Sequence, residues 1–231
     1  MFLTADEWQA LTLSLQVAFY SLLLDLPVAI ALAWLLVRRR FPGRTLLDAF
    51  VHLPLVLPPV LTGYILLLLF GAHGPLGHAL RAAFGLRLVF TRAGAVLAVA
   101  VMTLPLMVRA IRIALDGIDT GLEDAARTLG AGPVDRFRSI TLPLMLPGIL
   151  AGLVTAFAAG LGEFGAVITF VSNIPGETRT LPLALYTALQ TPGGDADAAR
   201  LATLSLVLGL AGLTLSEWLS RRLRSRLGRA A

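Results

Sequence analysis

The side chains that most often carry covalent or metal chemistry are nearly missing from this 231-residue chain. It has no cysteine, which excludes a disulfide framework, a thiolate metal site and a thiol nucleophile. Its nineteen basic residues are all arginine. Without lysine there is no Walker-type phosphate loop and no Schiff base. His52, His73 and His78 have no metal-ligand spacing, and polar contacts near the ends of apolar stretches account for them. The isolated acids complete no catalytic constellation. The informative stretch is Asp119 to Pro147, DTGLEDAARTLGAGPVDRFRSITLPLMLP. Asp119 or Thr120 can cap a helix whose first turn holds Glu123 and Asp124, where the helix dipole favours acids. Gly130, Gly132 and Pro133 break that helix, and Pro133 starts a second one with Asp135, Arg136 and Arg138 on its polar face. A short structured loop of mixed charge reads as a docking surface.

The elements that must position this loop are apolar. Of all residues 57% are hydrophobic and 14% charged, against about a quarter charged in soluble domains. Mean hydropathy is +0.82. A spanning helix needs about twenty mostly apolar residues. Five stretches qualify: Leu11 to Val37, Leu46 to Phe70, Ala93 to Leu115, Leu144 to Val171, and Leu201 to Leu219. The first does not read as a cleaved leader, because Asp6 and Glu7 stand where a basic region would be and the stretch is too long. Arginines set the orientation. Arg38, Arg39, Arg40, Arg44, Arg109, Arg112, Arg127, Arg136, Arg138, Arg221, Arg222, Arg224, Arg226 and Arg229 fall on one side. Only Arg81, Arg87, Arg92, Arg179 and Arg200 fall on the other, so the richer side is expected to be cytoplasmic. The expected fold is all-α, one polytopic bundle over residues 1–231, with five spans, N-terminus out and C-terminus in. Thr180 to Gln190 is apolar but too short to cross, and is expected at the outer surface or dipping into the membrane. Counting it gives six. The pI near 10.9 then reflects orientation, with no nucleic-acid partner. Trp8, Trp34 and Trp218 sit near span ends, where indoles prefer to lie.

The span interiors suggest close packing. Gly148, Gly152, Ala156 and Gly160 recur every fourth position, a ridge along which another helix can approach closely. Gly209 and Gly212 are expected to do the same. Pro27, Pro105 and Pro147 fit kinks in a packed bundle. For Pro54, Pro58 and Pro59, crowded into one stretch, shaping a pathway is an equal alternative.

The loop resembles the EAA motif of permease subunits in bacterial ABC importers, E-A-A-x3-G-x9-I-x-L-P. The match is Asp124-Ala125-Ala126, three residues, Gly130, nine residues, Ile140, Thr141, Leu142 and Pro143, with aspartate in the glutamate position. The resemblance implies a cytoplasmic coupling loop over residues 119–143 that seats on an ATPase subunit. Its coupling residues would be Asp124, Ala125, Ala126, Arg127, Gly130, Asp135, Arg136, Ile140, Leu142 and Pro143. A second resemblance, to molybdate importer permeases, lies in Gly162-Glu163-Phe164-Gly165-Ala166, Asn173-Ile174-Pro175-Gly176 and Thr180-Leu181-Pro182-Leu183-Ala184-Leu185-Tyr186. Leu57-Pro58-Pro59-Val60, Gly63-Tyr64 and Pro105-Leu106-Met107-Val108-Arg109 fit the same subfamily.

Sulfate permeases share G-E-F-G-A and are the alternative, as is, from another class, an ATP-independent secondary transporter. The latter usually shows internal repeats, which this sequence lacks. The resemblance implies a transport subunit of the bacterial inner membrane, not an enzyme. It would form a homodimer lining one pathway, with two ATPase subunits that carry ATP and Mg, an extracytoplasmic molybdate-binding protein, and no cofactor in this chain. Asp25 and Glu163 are expected to face the bundle interior or water, Glu163 either holding the backbone of a gate with Gly162 and Phe164 or, equally, being only satisfied by its neighbours. Thr62, Thr103, Thr169, Ser172 and Asn173 are the candidate donors to a passing oxyanion.

Overall fold

The computed structural model describes residues 3–227, without the side chains of residues 213, 215–217 and 219–227. Arg221, Arg222, Arg224, Arg226 and Arg229, expected on the arginine-rich side, therefore fall outside the described side chains.

Helix α1 (Ala5–Arg38) starts at a capping box. Thr4 Oγ1 accepts from the Glu7 N–H at 3.3 Å, and Glu7 Oε2 accepts from the Thr4 N–H at 2.8 Å. Its 34 residues give a rod of about 51 Å, which runs the length of the bundle. Next come α2 (Arg44–Val56), α3 (Pro59–Phe70), α4 (Pro75–Phe84) and α5 (Arg92–Asp116). The docking stretch forms α6 (Thr120–Thr128) and α7 (Pro133–Arg136). A π-helical turn (Phe137–Thr141) leads directly into α8 (Leu142–Leu161). The chain ends with α9 (Gly165–Val171), α10 (Leu181–Gln190) and α11 (Asp195–Leu227).

The span count differs from the five expected. Among the described residues three helical runs are long and apolar enough to cross a membrane, α1, α5 and Pro133–Leu161, and a fourth if the bent α2–α3 pair counts as one. The second apolar stretch is not straight. Leu57, preceding a proline, is extended at φ −75° and ψ 145°, and Pro59 restarts the chain as the first residue of α3. The two halves meet at 117°, and each is about 20 Å long, short of the roughly 30 Å hydrocarbon core. The fourth stretch ends at Leu161, where Gly162, Glu163 and Phe164 interrupt it before α9. The fifth lies within α11, which runs into the residues whose side chains are not described. Thr180 to Gln190 does form a short helix, α10.

The glycine ridge of α8 lies against α5. A Cβ on Gly148 would collide with Ala114 Cβ, one on Gly152 would come within 3.2 Å of Met107 Cγ, and one on Gly160 within 2.9 Å of Val99 Cγ1. Backbones approach this closely only because nothing projects between them. Gly209 and Gly212 do not repeat this among the described residues: a Cβ on either meets nothing there within 4 Å. Where α1, α5 and α8 converge, Ala29, Ala33, Leu36, Met107, Ile111 and Met145 are buried. Nearer the other end Val17, Ala98, Val99, Val167 and Phe170 form a second core with α9. Polar bonds cross the α1–α5 contact, Ser21 Oγ donating to Val96 O at 3.0 Å and Thr103 Oγ1 to Asp25 Oδ2 at 2.8 Å.

Candidate functional site

Two regions gather the chemistry, one at each end of α1. At its C-terminal end is the loop of α6 and α7. Asp119 caps α6, its Oδ1 accepting from the Gly121 N–H at 2.8 Å. Gly130 ends it with φ +87°, in the left-handed region. The Gly130 N–H donates to Arg127 O at 3.1 Å and the Ala131 N–H to Ala126 O at 3.0 Å, the paired bonds of a Schellman cap. A Cβ on Gly130 meets nothing within 4 Å, so backbone conformation rather than space demands the glycine. Neither α6 nor α7 has a buried residue. Exposed on this loop are Leu122, Leu129 at 88% and Val134, together with Asp124, Arg127 and Asp135. Asp124 and Arg127 pair at 3.2 Å on the exposed surface of α6.

At the other end, α3 packs on α9 through two glycines. A Cβ on Gly63 would lie 2.6 Å from Ala166 O, and one on Gly165 2.7 Å from Pro59 Cβ. Glu163 Oε1 accepts from the Ala166 N–H at 2.9 Å, placing a carboxylate on the first turn of α9. The Phe164 ring tilts against Tyr186 of α10 at 5.1 Å. Ser172 closes α9 at φ 65°, ψ −167°, a conformation populated almost only by glycine. Much of the loop after α9 is bonded within itself and to α10, although the buried Thr180 Oγ1 has no partner among the described residues. Asn173 Nδ2 donates to Thr187 Oγ1 at 2.7 Å and Arg179 Nε to Asn173 Oδ1 at 2.9 Å. The buried Thr178 hydroxyl accepts from the Ile174 N–H at 2.9 Å and donates to Ser172 O at 3.0 Å. Glu7 pairs with Arg200 at 3.0 Å, tying the start of α1 to the start of α11.

The expected coupling residues share one loop but not one face. Asp124, Ala125, Arg127, Gly130, Asp135 and Pro143 are exposed, whereas Ala126, Arg136, Ile140 and Leu142 turn partly inward. The expected oxyanion donors are not brought together. Thr103 is buried against Asp25 between α1 and α5, and Asn173 is engaged in the loop. Thr169 Oγ1 donates within its own helix to Gly165 O at 2.8 Å. Thr62, on α3 beside the seam with α9, is buried, and its Oγ1 has no partner among the described residues. Sequence reasoning missed Leu122, Leu129 and Val134 as surface residues. Their signal was available: apolar side chains in an otherwise polar loop.

A family model described as "Binding-protein-dependent transport system inner membrane component" matches residues 25–225, and the chain belongs to that family. It is accordingly a multi-pass transport subunit of the inner membrane and not an enzyme. Among relatives, "Molybdenum transport system permease protein ModB" of Escherichia coli (strain K12) is 59% identical over 229 residues, covering 99% of this chain and 100% of the relative. The protein of that name from Haemophilus influenzae is 55% identical, covering 96% of this chain and 97% of its own length. "Sulfate transport system permease protein CysT" of Salmonella typhimurium is 36% identical over 92% of this chain and 78% of that one. Among solved structures, a bacterial ABC transporter involved in alginate import superposes with a TM-score of 0.76 at 20% identity, over 96% of this chain and 81% of that one. An inward-facing methionine ABC transporter gives 0.65 at 18% identity, over 94% of each chain. These two likenesses carry the fold.

Proposed function

We propose that the chain is the permease subunit of an ATP-driven importer that carries molybdate or tungstate into the cytoplasm by alternating access. In this reading two copies line one pathway, with N-termini outside and C-termini inside. Each copy docks one ATPase subunit, which binds the ATP and Mg, and an extracytoplasmic binding protein delivers the anion near α4 and the loop after α9. The observation that carries the reading is the α6–α7 loop. In a chain otherwise built from apolar packing, it displays Leu122, Leu129 and Val134 among charges and buries nothing of its own. Exposed apolar side chains interspersed with charges are a surface that a partner can cover. The anion assignment rests on the 59% and 55% identity to relatives named for molybdenum transport, against 36% to one named for sulfate.

ATP binding would draw the two docked loops together and tip the bundle between inward-open and outward-open states. The α3–α9 seam then acts as the gate, with Gly162, Glu163 and Phe164 fixing the start of α9. Thr62 is the donor nearest that seam whose hydroxyl is uncommitted, while Thr169, Ser172, Asn173 and Thr103 act, if at all, only after rearrangement. Reconstitution of the chain with its ATPase and binding protein tests this. ATP-dependent uptake of labelled molybdate, blocked by tungstate and indifferent to excess sulfate, is expected. Preference for sulfate would leave the importer and discard the substrate, and uptake without ATP would discard both.

A further inference from the structure

Glu123 is the one acid of α6 that turns away from the exposed face. Its side chain is 23% exposed, against 62% for its neighbour Asp124. A single oxygen, Oε1, accepts from Arg38 Nη2 at 3.1 Å and from Thr141 Oγ1 at 2.8 Å. Those donors belong to two different long helical elements. Arg38 is the last residue of α1, and its buried Nε has no partner among the described residues. Thr141 is 3% exposed and closes the π turn that runs into α8.

Several independent features converge here. With no buried residue, α6 has no apolar anchor deep in the bundle, so polar bonds carry much of its attachment. A charge-assisted bond is shorter and stronger than a neutral one, and partial burial shields it from screening. A π turn is an irregularity in a helix that frequently marks a functional position. A displacement of α6 must therefore break both bonds or carry the ends of α1 and α8 with it. Both lead straight into the shared core at Leu36, Met107 and Met145.

We propose that Glu123 is the positioning residue through which movement of the docked loop reaches α1 and α8 together. The inference rests on α6–α7 being the ATPase dock, but Glu123 lies off the docking face, so the two can fail separately. The test uses the complete complex of this chain, its ATPase and its binding protein in proteoliposomes, measuring ATPase co-purification and molybdate taken up per ATP hydrolysed. With Glu123→Ala the ATPase subunit is expected to remain bound while uptake per ATP falls about tenfold, a typical coupling between sites. The charge swap Glu123→Arg with Arg38→Glu is expected to recover at least half of the loss. An unchanged ratio in the alanine variant overturns the proposal, as does loss of the ATPase subunit from it, which would make Glu123 part of the dock. A swap no better than the single variants, in a complex that still assembles, also overturns it. If the unaltered chain holds no ATPase subunit, the docking reading fails and this one with it.

Discussion

The two ends of the molecule spend their polar groups differently. In the loop after α9, the Asn173 amide, the Arg179 guanidinium and the Thr178 and Thr187 hydroxyls are bonded to one another or to nearby backbone. Of the polar side chains there, the buried Thr180 hydroxyl has no partner among the described residues. The α6–α7 loop differs, with Leu129 and Val134 displayed and no buried residue to hold it down. A loop whose polar groups largely pair with one another holds its own shape, whereas one that leaves apolar surface exposed offers it to a partner. Substitutions at the first end should damage transport while leaving docking intact, and those among the exposed residues of the second should weaken docking itself.

The largest effect is expected at the α3–α9 seam. Even an alanine at Gly63 puts its Cβ 2.6 Å from Ala166 O and 2.9 Å from Thr169 Cβ, and the nearest group is backbone that cannot swing aside. Overpacking of this kind costs about 1–3 kcal/mol, so Gly63→Val should cut uptake by about tenfold or more while the ATPase subunit still co-purifies. Loss of the ATPase subunit instead would mean that the ends are not separable. Next is Leu129→Asp, which places a charge at the most exposed apolar point of the loop. An interface anchor is worth upwards of about 1 kcal/mol. ATPase affinity should therefore drop about tenfold by titration, with thermal unfolding of the purified chain unmoved. A lowered unfolding temperature would show that Leu129 serves the fold and not a partner.

Gly130→Ala sharpens the same point through the backbone. Nothing crowds the position, so the only penalty is the left-handed conformation, about 1–2 kcal/mol for a residue with a Cβ. The Schellman cap should loosen and docking weaken a few-fold, measured with the same titration. Indifference of docking to this change would imply that the loop's shape is not what the partner reads.

How much of this was legible in the sequence depends on whether a feature is local. Asp119 or Thr120 as a cap, Gly130 as a break and Pro133 as a helix start are rules about neighbouring residues, and the structure keeps them with Asp119 as the cap. The ridge of Gly148, Gly152 and Gly160 was legible for the same reason, although that α5 receives it was not. Hydropathy counts residues and not directions, so it merged α2 and α3 into one stretch although the Leu57–Pro58–Pro59 break turns the chain by 117°. The oxyanion donors were chosen by chemical type alone. Distance in sequence hides that Thr103 is already bonded to Asp25, 78 positions away, and Asn173 to Thr187.

Thr62 gives the smallest effect and the most discriminating one. Its hydroxyl is buried beside the seam without a partner among the described residues. A buried donor left unsatisfied costs about 1–3 kcal/mol, whereas an isosteric apolar group in its place is close to neutral or stabilising. Thr62→Val keeps the shape and removes the hydroxyl, so unfolding in detergent should shift upward slightly or not at all. If the hydroxyl serves a passing oxyanion, the same change should slow molybdate uptake about two- to fivefold, the order of one modest hydrogen bond. Opposite signs in the two measurements would locate a functional group inside a seam that otherwise packs through glycine. A stability gain with unaltered uptake would leave the seam purely steric and return the search for donors to the loop beyond α9.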